Sequence, residues 1–336
     1  AARRGRTTPV YSGDRRLSPM RAIGITTFGG PEALEVVELP DPVAGPGELA
    51  IRIHAATVNP TDTVLRSGAR ADRLKDVPPP HVPGMDAAGI LEQIGEGVET
   101  DLRVGDRVMA IVVPLGVHGA YAERVVVPAE SVARSPVGAS DAEASTLPMN
   151  GLTARQALDA LSLEPGSTLA VTGAAGAVGG YAVQLAKAGG LRVVADAARS
   201  DESLVEALGA DMIVPRGDRF SEEVRLVLPD GVDGLIDAAL LEDEALGAVR
   251  DGGAVVTLRG YDGTGLAGPI RRGVVFHPIF VRNYAREHTK LDGLRVQAES
   301  GALTLRVART FPADQAPEAH RLLEAGGVRG RLVLEF

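Results

Sequence analysis

Thr168-Leu-Ala-Val-Thr-Gly-Ala-Ala-Gly-Ala-Val-Gly-Gly-Tyr-Ala-Val-Gln-Leu-Ala-Lys-Ala-Gly-Gly190 is the stretch from which the rest of the chain is read. Its first five residues form a short apolar run of the kind that makes a buried parallel strand. Gly173, Gly176 and Gly179 then turn the chain into a helix whose apolar positions include Val178, Ala182, Val183, Leu185 and Ala186. Amides freed at a helix start point outward with the positive end of the helix dipole, and a pyrophosphate can sit there if no side chain blocks it. Glycines at such a place also serve as simple tight turns, so the spacing alone is weak. Context decides: a second apolar run, residues 191–195, follows directly, as a βαβ unit requires. Gly173, Ala175, Gly176, Ala177, Val178 and Gly179 are therefore expected to cradle a dinucleotide.

Downstream, helical stretches at 202–208 and 222–227 alternate with strand-like runs at 212–214, 234–237 and 254–258, and the alternation continues to about Phe276. A charged helix at 284–300, a strand at 303–307, a helix at 316–325 and a last strand at 331–336 follow. Upstream, residues 141–161 read as helix ending before Pro165-Gly166. Before them, β-like runs at 20–26, 34–39, 50–55, 89–94, 107–113 and 121–127 are broken by Gly, Pro and Asp, which suggests a small irregular β-barrel. Residues 1–19 carry five arginines without apolar periodicity and are expected to be a disordered extension or leader.

Three hundred and thirty-six residues suffice for about two domains. Without cysteine there is no disulfide and no cysteine-ligated metal, and the six histidines show no ligand spacing. A net charge of -9 argues against a nucleic-acid surface. No apolar run approaches a membrane span and no signal-peptide pattern is evident, so a cytoplasmic protein is expected.

The phrases Phe28-Gly-Gly-Pro-Glu, Val58-Asn-Pro-Thr-Asp-Thr, Val82-Pro-Gly-Met-Asp-Ala-Ala-Gly, Val104-Gly-Asp-Arg-Val, Gly119-Ala-Tyr-Ala-Glu and Arg329-Gly-Arg-Leu-Val-Leu join the glycine stretch in one pattern. With them the chain resembles the zinc-independent quinone oxidoreductases of the medium-chain dehydrogenase/reductase superfamily. The resemblance covers nearly everything after Met20. It implies an α/β fold: a GroES-like β-barrel domain, residues 20–140 and 284–336, and a Rossmann doubly wound parallel-sheet domain, residues 141–283, with a cleft between them. It also implies a homodimer. Zinc-using relatives carry a cysteine where this chain has Asn59, and Gly-His-Glu where it has Gly84-Met85-Asp86, so no zinc is expected.

By the same resemblance Asn59 lies on the cleft wall, where its amide can hydrogen-bond a substrate carbonyl; a turn residue before Pro60 is the plainer alternative. Asp62 and Thr63 share that loop, with Asp62 alternatively capping a short helix that begins near Thr63. Many relatives have a tyrosine where Val64 stands, so a proton donor is missing. Tyr121 reads as barrel packing, and His118 as a surface or structural histidine. Tyr261, after a parallel strand, is better placed for chemistry, since ligands bind beyond the carboxyl ends of such strands. Leu258, Arg259 and Gly260 resemble the segment that lies along the nicotinamide, and Thr153 falls among the cofactor-binding positions.

Cofactor choice turns on Val193-Val-Ala-Asp-Ala-Ala-Arg-Ser. An acid there accepts from ribose hydroxyls of NAD, whereas an arginine pairs with the 2′-phosphate of NADP. Asp196 falls one position before the acid of NAD-using relatives, on the strand's other face, while Arg199 and Ser200 follow on the loop; NADPH is expected, with NADH the alternative. The expected activity is hydride transfer to a quinone or other conjugated carbonyl. Its rivals are reduction of an enone, 2-alkenal or enoyl thioester, for which the basic tract Arg66, Arg70, Arg73 and Lys75 could form an entrance, and a non-catalytic NADPH-binding module.

Overall fold

The computed structural model describes residues 19–263 and 272–336. Residues 1–18 of the expected extension lie outside them. Strands β1 (Pro19–Ile25) and β2 (Leu34–Pro40) pair antiparallel. After them come β3 (Glu48–Thr57), helix α1 (Pro60–Arg66), β4 (Asp86–Ile94), β5 (Arg107–Ile111), β6 (Arg124–Pro128) and β7 (Val132–Arg134). Helices α2 (Asp141–Ser145) and α3 (Pro148–Leu161) lead into the alternating half. There β8 (Thr168–Thr172), α4 (Ala177–Ala188), β9 (Arg192–Ala197), α5 (Glu202–Ala207), β10 (Met212–Pro215), α6 (Phe220–Val227), β11 (Val232–Asp237), β12 (Val249–Thr257) and β13 (Val275–Pro278) succeed one another. The chain closes with α7 (His288–Glu299), β14 (Val307–Pro312), α8 (Ala316–Ala325) and β15 (Arg331–Glu335).

Strands β8 to β13 form one parallel sheet in the order β10-β9-β8-β11-β12-β13. The order reverses between β8 and β11, so a crevice opens beyond the carboxyl ends of these two strands, where a doubly wound sheet binds its ligand. Leu169, Ala170 and Val171 are fully buried there, as the continuous apolar run requires. The barrel side is a seven-stranded sheet, β14-β15-β3-β4-β5-β7, with β6 also on β3. The last strand thus returns to the first half of the chain, Val333 opposite Thr57. Ala88, Met109, Ile111 and Ala133 of the barrel pack in one cluster with Leu147, Leu152 and Val171, so α2 and α3 sit where the two halves meet.

Several boundaries differ from the sequence reading. The strand expected at 303–307 begins only at Val307, because Thr304 N is drawn off by Gln184 Oε1 (2.8 Å) on α4 while Leu303 buries in the core. The charged helix starts at His288, after a separate 3-10 turn at Val281–Tyr284. Strand β6 starts at Arg124 rather than Tyr121, since Ala122 makes only an isolated bridge to Ala22.

Candidate functional site

The sheet's crevice is fastened at its floor. The Thr172 hydroxyl donates to Asp237 Oδ1 (2.7 Å) and accepts from Ala239 N (3.0 Å), locking the ends of β8 and β11 together. Gly173 then takes φ 65°, the left-handed region that favours glycine, and a Cβ on Gly179 would run into the Gly173 carbonyl. Gly176 caps α4 without a side-chain hydrogen bond, so among the described residues the amides of Ala177, Val178 and Gly179 have neither an intrahelical acceptor nor a side-chain cap. Gly173, Gly176, Ala177 and Val178 are half-buried, open to an approaching ligand. Ala175, in the same loop, is buried.

Asp196, only 2% exposed, faces back into this loop: Oδ1 accepts from Ala174 N (3.1 Å), and among the described residues Oδ2 has no partner. Burial raises its pKa. It therefore steadies the glycine loop from β9. Arg199 and Ser200 are exposed on the 3-10 turn Arg199–Asp201 beyond the strand, while Asp201 holds Arg329 through two hydrogen bonds (2.7 and 2.6 Å). Thr153 is buried in α3 and donates to Met149 O (2.7 Å), a contact inside its own helix. In the loop after β12, Leu258 is half-buried, and Arg259 and Gly260 have φ 60° and 88°. Tyr261 accepts at its carbonyl from Thr257 and donates its hydroxyl to Asp243, with its ring edge-on to Phe276. Burial and the Asp243 carboxylate raise its pKa. Its hydroxyl is thus held toward Asp243, and among the described residues no hydrogen bond joins it to Asn59.

The barrel side of the cleft holds a buried polar cluster. Asn59 is 0% exposed and caps α1, so the helix begins at Pro60 and not near Thr63. Asp62 is the third helical residue rather than the cap: Oδ2 accepts from Asn59 N (2.7 Å) and Oδ1 from Gly84 N (3.0 Å). The Asn59 amide, expected on the cleft wall, is committed inward. Nδ2 donates to Asp86 Oδ2 (2.8 Å), and Oδ1 accepts from Arg331 (2.7 Å) and Asn150 (3.5 Å). Asp86 also accepts from the Thr57 hydroxyl (2.5 Å) and Met149 N (2.6 Å), and Arg331 lies 3.6 Å from it. Thr63 is half-buried and donates to Pro60 O (2.9 Å).

A second arm runs from Asp62 into the barrel. Arg66 can only donate, so His320 Nδ1 (3.3 Å) accepts from it and Nε2 carries the proton, donating to the Tyr121 hydroxyl (3.1 Å). Tyr121 in turn donates to Asp62 Oδ2 (3.3 Å). Burial pushes Asp62 up to about 7, with the nearby Asp86 adding to the effect and the two backbone amides opposing it. Burial, then the Arg66 charge, pushes His320 down to about 3, so its ring is neutral near pH 7. Tyr121 does pack in the barrel, but its hydroxyl serves this chain. Arg66 is buried and paired with Glu324 (2.6 Å), which removes it from the basic tract suggested as an entrance; Arg70, Arg73 and Lys75 stay exposed. Arg331, His320 and Arg66 were missed as partners of the Asn59 loop, because no spacing in the chain announces them.

A zinc ion does not fit this cluster. Its donor positions present an amide (Asn59), a thioether (Met85) and one carboxylate (Asp86), and the Arg331 guanidinium already neutralises that carboxylate. Among the described residues no group of three His, Cys, Asp or Glu could hold a metal. Nor is any helix among them long and apolar enough to cross a membrane.

Residues 45–137 match the model of the alcohol dehydrogenase GroES-like domain, and residues 208–334 the model described as zinc-binding dehydrogenase. A 2-methylene-furan-3-one reductase of Solanum lycopersicum is 30% identical over 330 residues, which span 94% of this chain and 79% of that protein. An NADPH-dependent alkenal/one oxidoreductase of Arabidopsis thaliana is 32% identical over 249 residues, 72% of this chain and 63% of the relative. The solved quinone oxidoreductase of Coxiella burnetii has a TM-score of 0.81 at 29% identity, covering 95% of this chain and 100% of its own. Barrel, parallel sheet, glycine loop and these likenesses agree: the chain belongs to the medium-chain dehydrogenase/reductase superfamily, is quinone oxidoreductase-like within it, and is an oxidoreductase of the kind that uses a nicotinamide cofactor.

Proposed function

We propose that this protein is an NADPH-dependent, zinc-independent reductase of quinones or other conjugated carbonyls. One observation carries the reading: the parallel pair β14 and β15 sends Arg331 to Asn59 and Asp86 while Arg306, beside it, reaches the glycine loop, so both clusters belong to one cleft. When bound, the nicotinamide supplies the hydride. The amides of Ala177 to Gly179 hold the diphosphate, and the Leu258–Gly260 backbone borders the nicotinamide end, with Tyr261 fixing that loop through Asp243. Asn59 and Asp62 act by positioning: they brace the foot of α1, which presents Thr63 as part of the substrate wall. Asp62 can hold a proton near neutral pH, but its oxygens face Asn59 N, Gly84 N and Tyr121, so that proton stays in the barrel and the product takes its proton from water. Arg199 and Ser200, exposed beyond β9, meet the 2′-phosphate, while Asp196 is turned away from that place. The exposed edge strand β13 is available for pairing with a second copy.

Reduction of the carbon-carbon double bond of an enone or 2-alkenal is the second reading, favoured by the names of the tomato and Arabidopsis relatives. The test is NADPH consumption with a panel of quinones, 2-alkenals, enones and enoyl thioesters, NADH in parallel. Faster turnover of quinones supports the first reading, faster turnover of alkenals or enones the second. Binding without turnover of any acceptor refutes both and leaves a cofactor-binding module. In the same assay Arg199→Ala is expected to raise KM for NADPH about tenfold, ~1.4 kcal/mol, and to leave that for NADH unchanged. Equal effects on the two would remove Arg199 from the 2′-phosphate.

A further inference from the structure

Arg306 precedes β14, and its carbonyl accepts from Arg331 N (2.8 Å). Its side chain crosses to the parallel-sheet half, where Nη1 donates to Ala175 O (3.1 Å) and Nη2 to Gly176 O (2.6 Å). The berth exists because residue 180 is glycine: a Cβ there would collide with Nη2. Among the described residues Arg306 has no carboxylate partner, and the positive charge of Arg329, itself committed to Asp201, acts against its own. A guanidinium that is partly buried, beside the positive end of α4 and next to a second cation, is in an unfavourable field. Burial and Arg329 accordingly lower its pKa. Two of its five N–H groups are spent on the loop carbonyls, leaving three for an anion.

We infer that Arg306 is a ligand of the dinucleotide's bridging diphosphate, supplied by the barrel side, and that it ties the C-terminal strands to the cofactor loop when the dinucleotide binds. The inference rests on the dinucleotide reading above. An anion at the start of α4 meets both the helix amides and this guanidinium, and its charge relieves the repulsion between Arg306, Arg329 and the helix dipole. The diphosphate is common to NADPH and NADH, so Arg306 affects both alike, in contrast to Arg199.

The experiment is calorimetric titration of the full chain with NADPH, NADH, ADP-ribose and AMP, for wild type, Arg306→Ala, Arg306→Lys and Gly180→Ala. Arg306→Ala is expected to weaken NADPH, NADH and ADP-ribose by about tenfold or more and to leave AMP unchanged, with partial recovery in Arg306→Lys. Gly180→Ala keeps the charge but places a Cβ against Nη2 that pushes the guanidinium off the loop carbonyls, and is expected to show the same pattern in weaker form even if Arg306→Ala fails to fold. Unchanged dinucleotide affinity in both folded variants would overturn the inference and leave Arg306 a strap between the halves. A loss confined to NADPH would overturn it too, by placing the arginine on the 2′-phosphate. If wild type bound neither dinucleotide, the cofactor reading itself would fall, an outcome distinct from a wild type that binds and variants that bind equally well.

Discussion

At the start of α4 the groups offered to a ligand are backbone amides bared by glycine and alanine, whereas at the foot of α1 they are side chains from separate segments: Thr57, Asn59, Asp62, Asp86, Asn150 and Arg331. The first region is half-open, with its positive end unpaired; the second is closed and its hydrogen bonds are filled from within. A loop made by leaving side chains out keeps its amides open. A cluster made by bringing side chains together is already satisfied and holds its shape without one. The cleft thus joins a receptive end to a rigid end, as a reaction needs when one partner must be gripped and the other positioned.

Three substitutions would break or sharpen this contrast. The largest effect is expected at the closed end. Arg331→Met removes the buried cation beside Asp86 and leaves the Val58 carbonyl and Asn59 Oδ1 short of a donor, which should lower unfolding stability by about 3–5 kcal/mol. Urea unfolding checks it, and a loss under about 1 kcal/mol would show that Arg331 does not hold the cluster together. At the open end, Gly179→Ala forces a Cβ against the Gly173 carbonyl. A strain of about 1–3 kcal/mol is expected, with dinucleotide affinity down about tenfold or more. Titration that found unchanged affinity would mean the loop does not depend on that close approach.

The smallest effect concerns pH. His320 has its pKa lowered from 6.5 to about 3 on folding, so the unfolded chain binds the proton more readily, and stability from the neutral ring is lost as pH falls below 6.5. Asp62, raised from 3.8 to about 7, has the opposite slope, because the folded state prefers its neutral form and stability declines as pH rises across that window. In wild type the two partly cancel. His320→Gln removes only the first, so its Tm relative to wild type should climb as pH drops from 6.5 toward 4. Melting curves across that range check this; a constant difference would show that His320 is not held neutral.

The parallel-sheet half was legible because its signals are contiguous. Strand, glycine turn and helix lie within residues 168–188, and the next strand follows at once, so periodicity and turn chemistry are sufficient. That Asp196 belongs to the second strand was legible for the same reason, but its bond to Ala174 N was not. The short helix after Asn59 was half legible: capping chemistry was visible, but which residue caps depended on the return of Asp62 to the Asn59 amide.

What surrounds Asn59 was not legible. Its partner Arg331 stands 272 positions away, and His320 stands 199 from Tyr121. Their meeting follows from β15 joining β3 and from α8 packing against the barrel, which no local period encodes. The amide expected to face substrate turned inward for that reason, since a carboxylate and a guanidinium reached it first. Composition, periodicity and turn residues by themselves determined the halves, the sheet and the glycine loop, because each rests on neighbours in the chain. The closed polar cluster, the loss of Arg66 to Glu324 and the seat of Arg306 on the glycine loop were decided by tertiary structure alone, because a buried charge takes the partner that folding brings within hydrogen-bond reach.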